Sequence, residues 1–296
     1  MVAILALQVA PGYVAPDGPP KYPSCADEVM GWLDVLSILK RVSLRTGTYR
    51  VARRFERAVL RRWRLKALQT EVALYRRILP PNSLCFDVGA NTGSRSEALL
   101  NAGMRVVAFE PQVSCIPEIR ARCAAGENLR IVPAAIGSAP AIATLFVRSS
   151  NPLSGLVANW DGITIGSTDV PVLTLDVAIE HFGHPYYCKI DVEGYELEVL
   201  RGLTRSVPVI SIEYHLTPQD LAKTRSCAQR LRDLGMRFVN VCPAESHDMK
   251  FSAWRPLQDF ESWFPGELDG NGAFTYGDLF FVDREIENRP PFASSM

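Results

Sequence analysis

The run Asp87-Val88-Gly89-Ala90-Asn91-Thr92-Gly93 follows a short apolar segment and precedes a helical one. Gly89 and Gly93 let the backbone turn tightly and approach a ligand with no side chain in between. Asp87 and Asn91 add polar groups at the same point. The pattern is not Gly-x-Gly-x-x-Gly and no phosphate-loop lysine follows, so it gives a phosphate cradle little support. A carboxylate just ahead of the turn repels a pyrophosphate and suits a cationic or amine-bearing ligand. Glu110, in Phe109-Glu110-Pro111, stands 21 residues after Gly89 at the end of the next apolar run. An acid about 20 residues beyond such a turn can accept hydrogen bonds from ribose hydroxyls. Each element alone is an ordinary turn or helix cap; together, at this spacing, they predict a nucleoside-binding site.

Two further clusters could do chemistry. Lys189-Ile190-Asp191-Val192-Glu193-Gly194-Tyr195-Glu196 puts a lysine and three carboxylates within eight residues. On extended backbone Asp191 and Glu193 face the same side. Asp191 is the candidate for a ligand or catalytic role, whereas Glu193 and Glu196 also suit the first turn of the following helix. In Ser211-Ile212-Glu213-Tyr214-His215, Glu213 and His215 share a side. A carboxylate that orients an imidazole makes a general base; the alternative is a buried, hydrogen-bonded strand end.

These clusters need elements that bring them to one edge. Short apolar runs at 84–88, 105–110, 129–133, 141–147, 170–175, 186–191, 208–214, 237–241 and 278–282 read as strands. Helical stretches at 95–102, 114–125, 176–181, 195–204 and 218–234 lie between several of them, the last opening on a Thr217-Pro218 cap. Alternation of this kind predicts an α/β fold with a mostly parallel, doubly wound sheet, whose ligands bind at the carboxyl ends of the strands. Residues 28–79 read as helical, closed by Pro80-Pro81. The expected division is a leader and basic helical extension over 1–79, then a domain over 80–290.

The segment from Leu84 to His215 resembles the FkbM family of S-adenosylmethionine-dependent methyltransferases. The resemblance rests on six blocks in order: Asp87 to Gly93, Phe109-Glu110-Pro111, Ala134-Ala135-Ile136-Gly137, Leu175-Asp176, Lys189 to Glu196, and Val199-Leu200-Arg201-Gly202. It implies a Rossmann-like class I methyltransferase sheet of seven strands with the last antiparallel. It also implies S-adenosylmethionine as cofactor, with the turn containing Asp87, Gly89, Ala90, Asn91 and Gly93 at its methionine part. Glu110, beside Pro111, would hold the ribose, and Ala135 and Ile136 would line the adenine. The family's usual acceptors, hydroxyls on sugars, polyketides and other small metabolites, become the expected substrates. Asp191, Glu213 and His215 are the candidates to take the acceptor's proton. Clustered carboxylates could instead hold a divalent cation, but no metal site is the favoured expectation.

Composition narrows the rest. With 47% hydrophobic and 22% charged residues over 296, the chain can bury a core without staples. Its net charge of zero hides an asymmetry: 41–77 holds twelve Arg or Lys against Glu56 and Glu71. Such an arm can meet nucleic acid, anionic lipid or an acidic partner, or simply be a solvated helix face. A nucleic-acid methyltransferase and a non-catalytic scaffold are therefore the alternatives; an NAD-dependent oxidoreductase is disfavoured by the Asp87–Gly93 turn. Seven cysteines without a Cys-x-x-Cys pair read as reduced thiols in a cytoplasmic setting, and no run is long enough to cross a membrane. Segments 151–160 and 242–277 read as loop-rich covers, the latter with Trp254, Phe260, Trp263 and Phe264 as cover or core.

Overall fold

The computed structural model describes residues 49–286 apart from 124–125, 149–153, 158–162, 245, 247 and 269–275, with backbone alone for 49–60. The chain divides into Met1–Arg53, nearly all outside the described residues, and a compact unit Arg54–Met296. The expected helical pattern over 28–48 likewise lies outside the described residues.

Eight strands form the main sheet of the second unit: β1 (Leu84–Val88), β2 (Arg105–Phe109), β3 (Leu129–Val132), β7 (Tyr187–Ile190), β8 (Val209–His215), β9 (Phe238–Pro243), β10 (Arg255–Pro256) and β11 (Tyr276–Val282). Their order is β10-β9-β11-β8-β7-β1-β2-β3. Strands β1, β2, β3, β7 and β8 pair in parallel. The last strand, β11, inserts antiparallel between β8 and β9. The chain winds outward from β1 to β3 and then returns to build β7 and β8 on the other side. Between β1 and β7 the connections reverse direction, which opens a crevice at the carboxyl ends.

The sheet exceeds the expected seven strands by the two-residue β10, and Pro256 is tolerated there because it lies on the outer edge. A second, three-stranded sheet has the order β4 (Ala135–Ile136), β6 (Thr164–Leu173), β5 (Ala141–Arg148). It takes up two segments that the sequence marks only as strands. Six of the first residues of β6 are exposed, so backbone pairing with β5 makes this strand rather than an apolar face.

Alternation along the central strands feeds two cores. Phe86 and Val88 pack on one face with α4 (Leu175–Phe182), α5 (Glu196–Arg201), α6 (Pro218–Asp233) and α7 (Phe260–Trp263). Cys85 packs on the other with α1 (Tyr49–Ile78), α2 (Ser94–Asn101) and α3 (Ile116–Arg122). Helix α3 starts later than the sequence pattern suggests because Pro117 fits only in a first turn. Trp254, Phe260, Trp263 and Phe264 are all buried and belong to the core. The described cysteines are free, and no described helix is long and apolar enough to cross a membrane.

Helix α1 is pinned to the strand ends by Arg95, whose Nη1 donates to Glu71 Oε1 (2.8 Å) and Nη2 to Asp278 Oδ2 (3.2 Å). Glu71 Oε1 also accepts from Tyr75 (3.0 Å). Arg95→Met would leave two largely buried carboxylates without this cation. We expect a loss of about 3 kcal/mol, read as a lower denaturant midpoint at unchanged slope.

Candidate active site

The carboxyl ends of β1, β2, β7 and β8 deliver the polar residues singled out by the sequence. Beyond β1 the chain turns through Gly89 (φ 82), Asn91 (φ 48) and Gly93 (φ 82), all left-handed. A Cβ at Gly89 would sit 1.8 Å from the Asp191 carbonyl oxygen, so only glycine lets the β1 turn lie against the β7 end. The Phe109 carbonyl accepts from both Gly89 N (3.0 Å) and Ala90 N (3.1 Å), which locks the turn onto β2.

Glu110 is buried and grips the same turn. Its Oε2 accepts from Asn91 N at 2.6 Å and its Oε1 from Gln112 N at 2.7 Å. Burial raises its carboxyl above the ordinary value and outweighs the pull of these two bonds. Asp87 is fully buried; its Oδ2 accepts from Ser96 Oγ at 2.6 Å, while its Oδ1 has no hydrogen-bond partner among the described residues. Burial raises Asp87 too, against the nearby Lys189 ammonium.

A cavity of about 210 Å3 opens over these ends, lined among others by Gly89, Asn91, Glu110, Pro111, Ala135 and Ile136 on one side and by Asp191, Glu193 and Glu213 on the other. Asp87, Ala90 and Gly93 shape the turn without lining the cavity. Sequence reasoning did not single out Gln112, Cys115, Leu145, Leu156 or Tyr195, which also line it; no spacing of theirs sets them apart from ordinary core or surface residues. Ser154–Leu156 form part of the wall, Val157 follows them, and residues 151–153 and 158–160 of the expected cover lie outside the described residues. This wall is tied to β5: Phe146 and Gly155 exchange backbone bonds, and the buried Arg148 donates to the Val157 carbonyl at 2.6 Å.

The side lined by Asp191, Glu193 and Glu213 is acidic. Lys189 Nζ lies 2.7 Å from Asp191 Oδ2. Burial opposes the charge on Asp191, but Lys189 outweighs it and holds the carboxyl below its ordinary value. Glu213 goes the other way, raised by burial and then by the charge of Asp191. His215 Nε2 is 3.2 Å from Glu213 Oε2, and this bond raises the imidazole. Its ring stacks on Tyr276, its neighbour across the β8–β11 ladder, at 5.9 Å. Glu213 faces the cavity and His215 stands behind it. Asp191, Glu193 and Glu213 each place an oxygen within 4.8 Å of the others, a spacing a hard cation could use. The Lys189 ammonium already neutralises Asp191 there.

Among the described residues that line the cavity are four carboxylates and no lysine or arginine. That donor set repels a dinucleotide's pyrophosphate and suits a ligand carrying a sulfonium and an ammonium group. A family model described as the methyltransferase FkbM domain matches residues 87–238, just over half of the chain. The chain belongs to the FkbM methyltransferase family. As an FkbM methyltransferase it is an S-adenosylmethionine-dependent enzyme with a Rossmann-like fold. The hexuronic acid methyltransferase AglP of Haloferax volcanii is 28% identical to it over 179 residues, 56% of this chain and 72% of that protein. Among solved structures, precorrin-6Y C5,15-methyltransferase from Geobacter metallireducens aligns at 14% identity over 72% of this chain and 85% of that one, with a TM-score of 0.39. Aeropyrum pernix fibrillarin with natively bound S-adenosylmethionine aligns at 10% identity over 71% and 73%, also at 0.39.

Proposed function

We propose that this FkbM methyltransferase methylates a hydroxyl oxygen of a sugar, free or within a glycan. The observation that carries the reading is the Glu213–His215 pair at the lip of a cation-seeking cavity. The sugar rests on the similarity to a hexuronic acid methyltransferase.

S-adenosylmethionine, when bound, supplies a methyl group activated by its sulfonium charge. Glu110 would accept from its ribose hydroxyls, Ala135 and Ile136 would flank the adenine, and Asn91 fits the amine end, with the buried Asp87 behind the turn. Asp191 and Glu213 are neighbouring carboxylates whose surroundings push their proton affinities apart, and such pairs divide acid–base work. Asp191, kept ionised by Lys189, orients the acceptor hydroxyl and favours positive charge in the cavity. Glu213, the more basic of the two, takes the hydroxyl proton, and His215 holds it in place and passes the proton outward.

Transfer of a labelled methyl group to a panel of neutral and acidic glycans, with the product position read by mass spectrometry and NMR, tests the acceptor. An O-methyl sugar supports the reading, and an N-methyl or base-methylated product overturns it. Because Lys189 supplies the fixed positive charge beside Asp191, we expect turnover to stay within twofold after EDTA treatment. A loss restored by magnesium would assign the three carboxylates to a cation instead.

A further inference from the structure

Glu196 closes the Lys189–Glu196 run, yet its carboxyl does not line the cavity. It is buried behind the wall. Its Oε1 accepts from Val192 N and from Gly194 N, each at 3.1 Å. These two donors bracket Glu193, which is held left-handed at φ 55, with Gly194 following at φ 88. A non-glycine residue keeps such a conformation only when its surroundings over-determine it. The bracketed segment is also the wall: Val192 and Glu193 line the cavity, and the Asp191 carbonyl is the surface against which Gly89 packs.

We propose that Glu196 is a positioning residue whose carboxylate clamps residues 191–194 into the shape that forms the acidic wall of the cavity and backs the Gly89 turn. The part that concerns the cofactor rests on the assignment of this cavity to S-adenosylmethionine; the clamp itself does not. In its first-turn position Glu196 resembles a helix cap, but its acceptor oxygen reaches back to the preceding segment. A small cavity behind the wall brings other groups towards it: Glu213 and His215 from β8, and Asp220, Lys223 and Cys227 from α6. Asp191 and Glu193 lie on its own segment, and Tyr195 and Glu198 adjoin it in sequence. Burial pushes the Glu196 carboxyl up to about 7, against its backbone bonds. An ionised acceptor makes the stronger bonds, so the clamp tightens as pH rises through neutrality and slackens as it falls.

The test is amide hydrogen exchange over residues 191–195 in the ligand-free protein at pH 6 and 8, corrected for intrinsic rates, beside calorimetric S-adenosylmethionine affinity. In Glu196→Ala we expect protection of this segment to fall at least tenfold and affinity to fall at least tenfold. Glu196→Gln keeps an acceptor oxygen but cannot ionise. It should retain affinity within threefold and lose the difference in protection between pH 6 and 8 that the unmodified protein shows. Unchanged protection and affinity in Glu196→Ala, or an unaltered pH difference in Glu196→Gln, overturns the proposal. If Glu196→Ala fails to fold, the Glu196→Gln comparison decides alone. Should the exchange results appear in a protein that binds no S-adenosylmethionine, the clamp stands and the cofactor assignment of the cavity falls.

Discussion

Glu110→Ala is expected to weaken S-adenosylmethionine binding by about 100-fold while leaving the protein folded. Two effects combine. The carboxylate is the acceptor proposed for the ribose hydroxyls, and it also holds the left-handed turn through Asn91 N and Gln112 N. Hydrogen bonds to a charged group are worth about 1.5–3 kcal/mol each. Loss of roughly 3 kcal/mol of binding energy corresponds to the stated factor. Glu110→Gln keeps one acceptor oxygen and should lose about tenfold, on the scale of one such bond. Calorimetry beside thermal melts separates affinity from stability. Binding within threefold of the unmodified protein in Glu110→Ala would remove Glu110 from the cofactor site.

Glu213→Gln is expected to leave S-adenosylmethionine affinity within a few-fold and to lower kcat by about 10²- to 10⁴-fold, the range of positioned proton transfer. The amide matches the carboxylate in shape but cannot take the acceptor's proton. The pH profile gives the sign. Glu213 is raised by burial and by Asp191, so its basic form is lost as pH falls through a midpoint above the ordinary carboxylate value of 4.5. His215 is raised as well, and its protonation deepens the same acid limb. The unmodified enzyme should lose activity on acidification along that limb, and in Glu213→Gln the limb should disappear together with the rate. Full activity in this variant would move proton removal to another group.

The half of the cavity proposed for the cofactor was legible as a cluster because its signals are local. A turn that needs Gly89 and Gly93 and an acid at the next strand end declare themselves in one dimension, and the sheet brings them together. The half proposed for the acceptor was legible in composition but not in arrangement. Glu213 and His215 share a strand face, yet sequence spacing cannot say which of them faces the cavity; here the carboxylate does. Glu196 read as a helix-cap candidate because the return of its carboxyl to Val192 N and Gly194 N depends on the left-handed Glu193. Strand β6 escaped in part because most of its length is exposed and shows no apolar period. The wall at Ser154–Leu156 depends on a cross-strand bridge to Phe146 that no motif announces.

The measurement closest to the central claim is a calorimetric titration of the unmodified protein with S-adenosylmethionine, with NAD as the competing ligand. A cavity whose described lining holds four carboxylates and no lysine or arginine predicts saturable one-to-one binding of S-adenosylmethionine and no detectable binding of NAD. A folded sample that fails to bind S-adenosylmethionine, or that prefers NAD, would contradict the account.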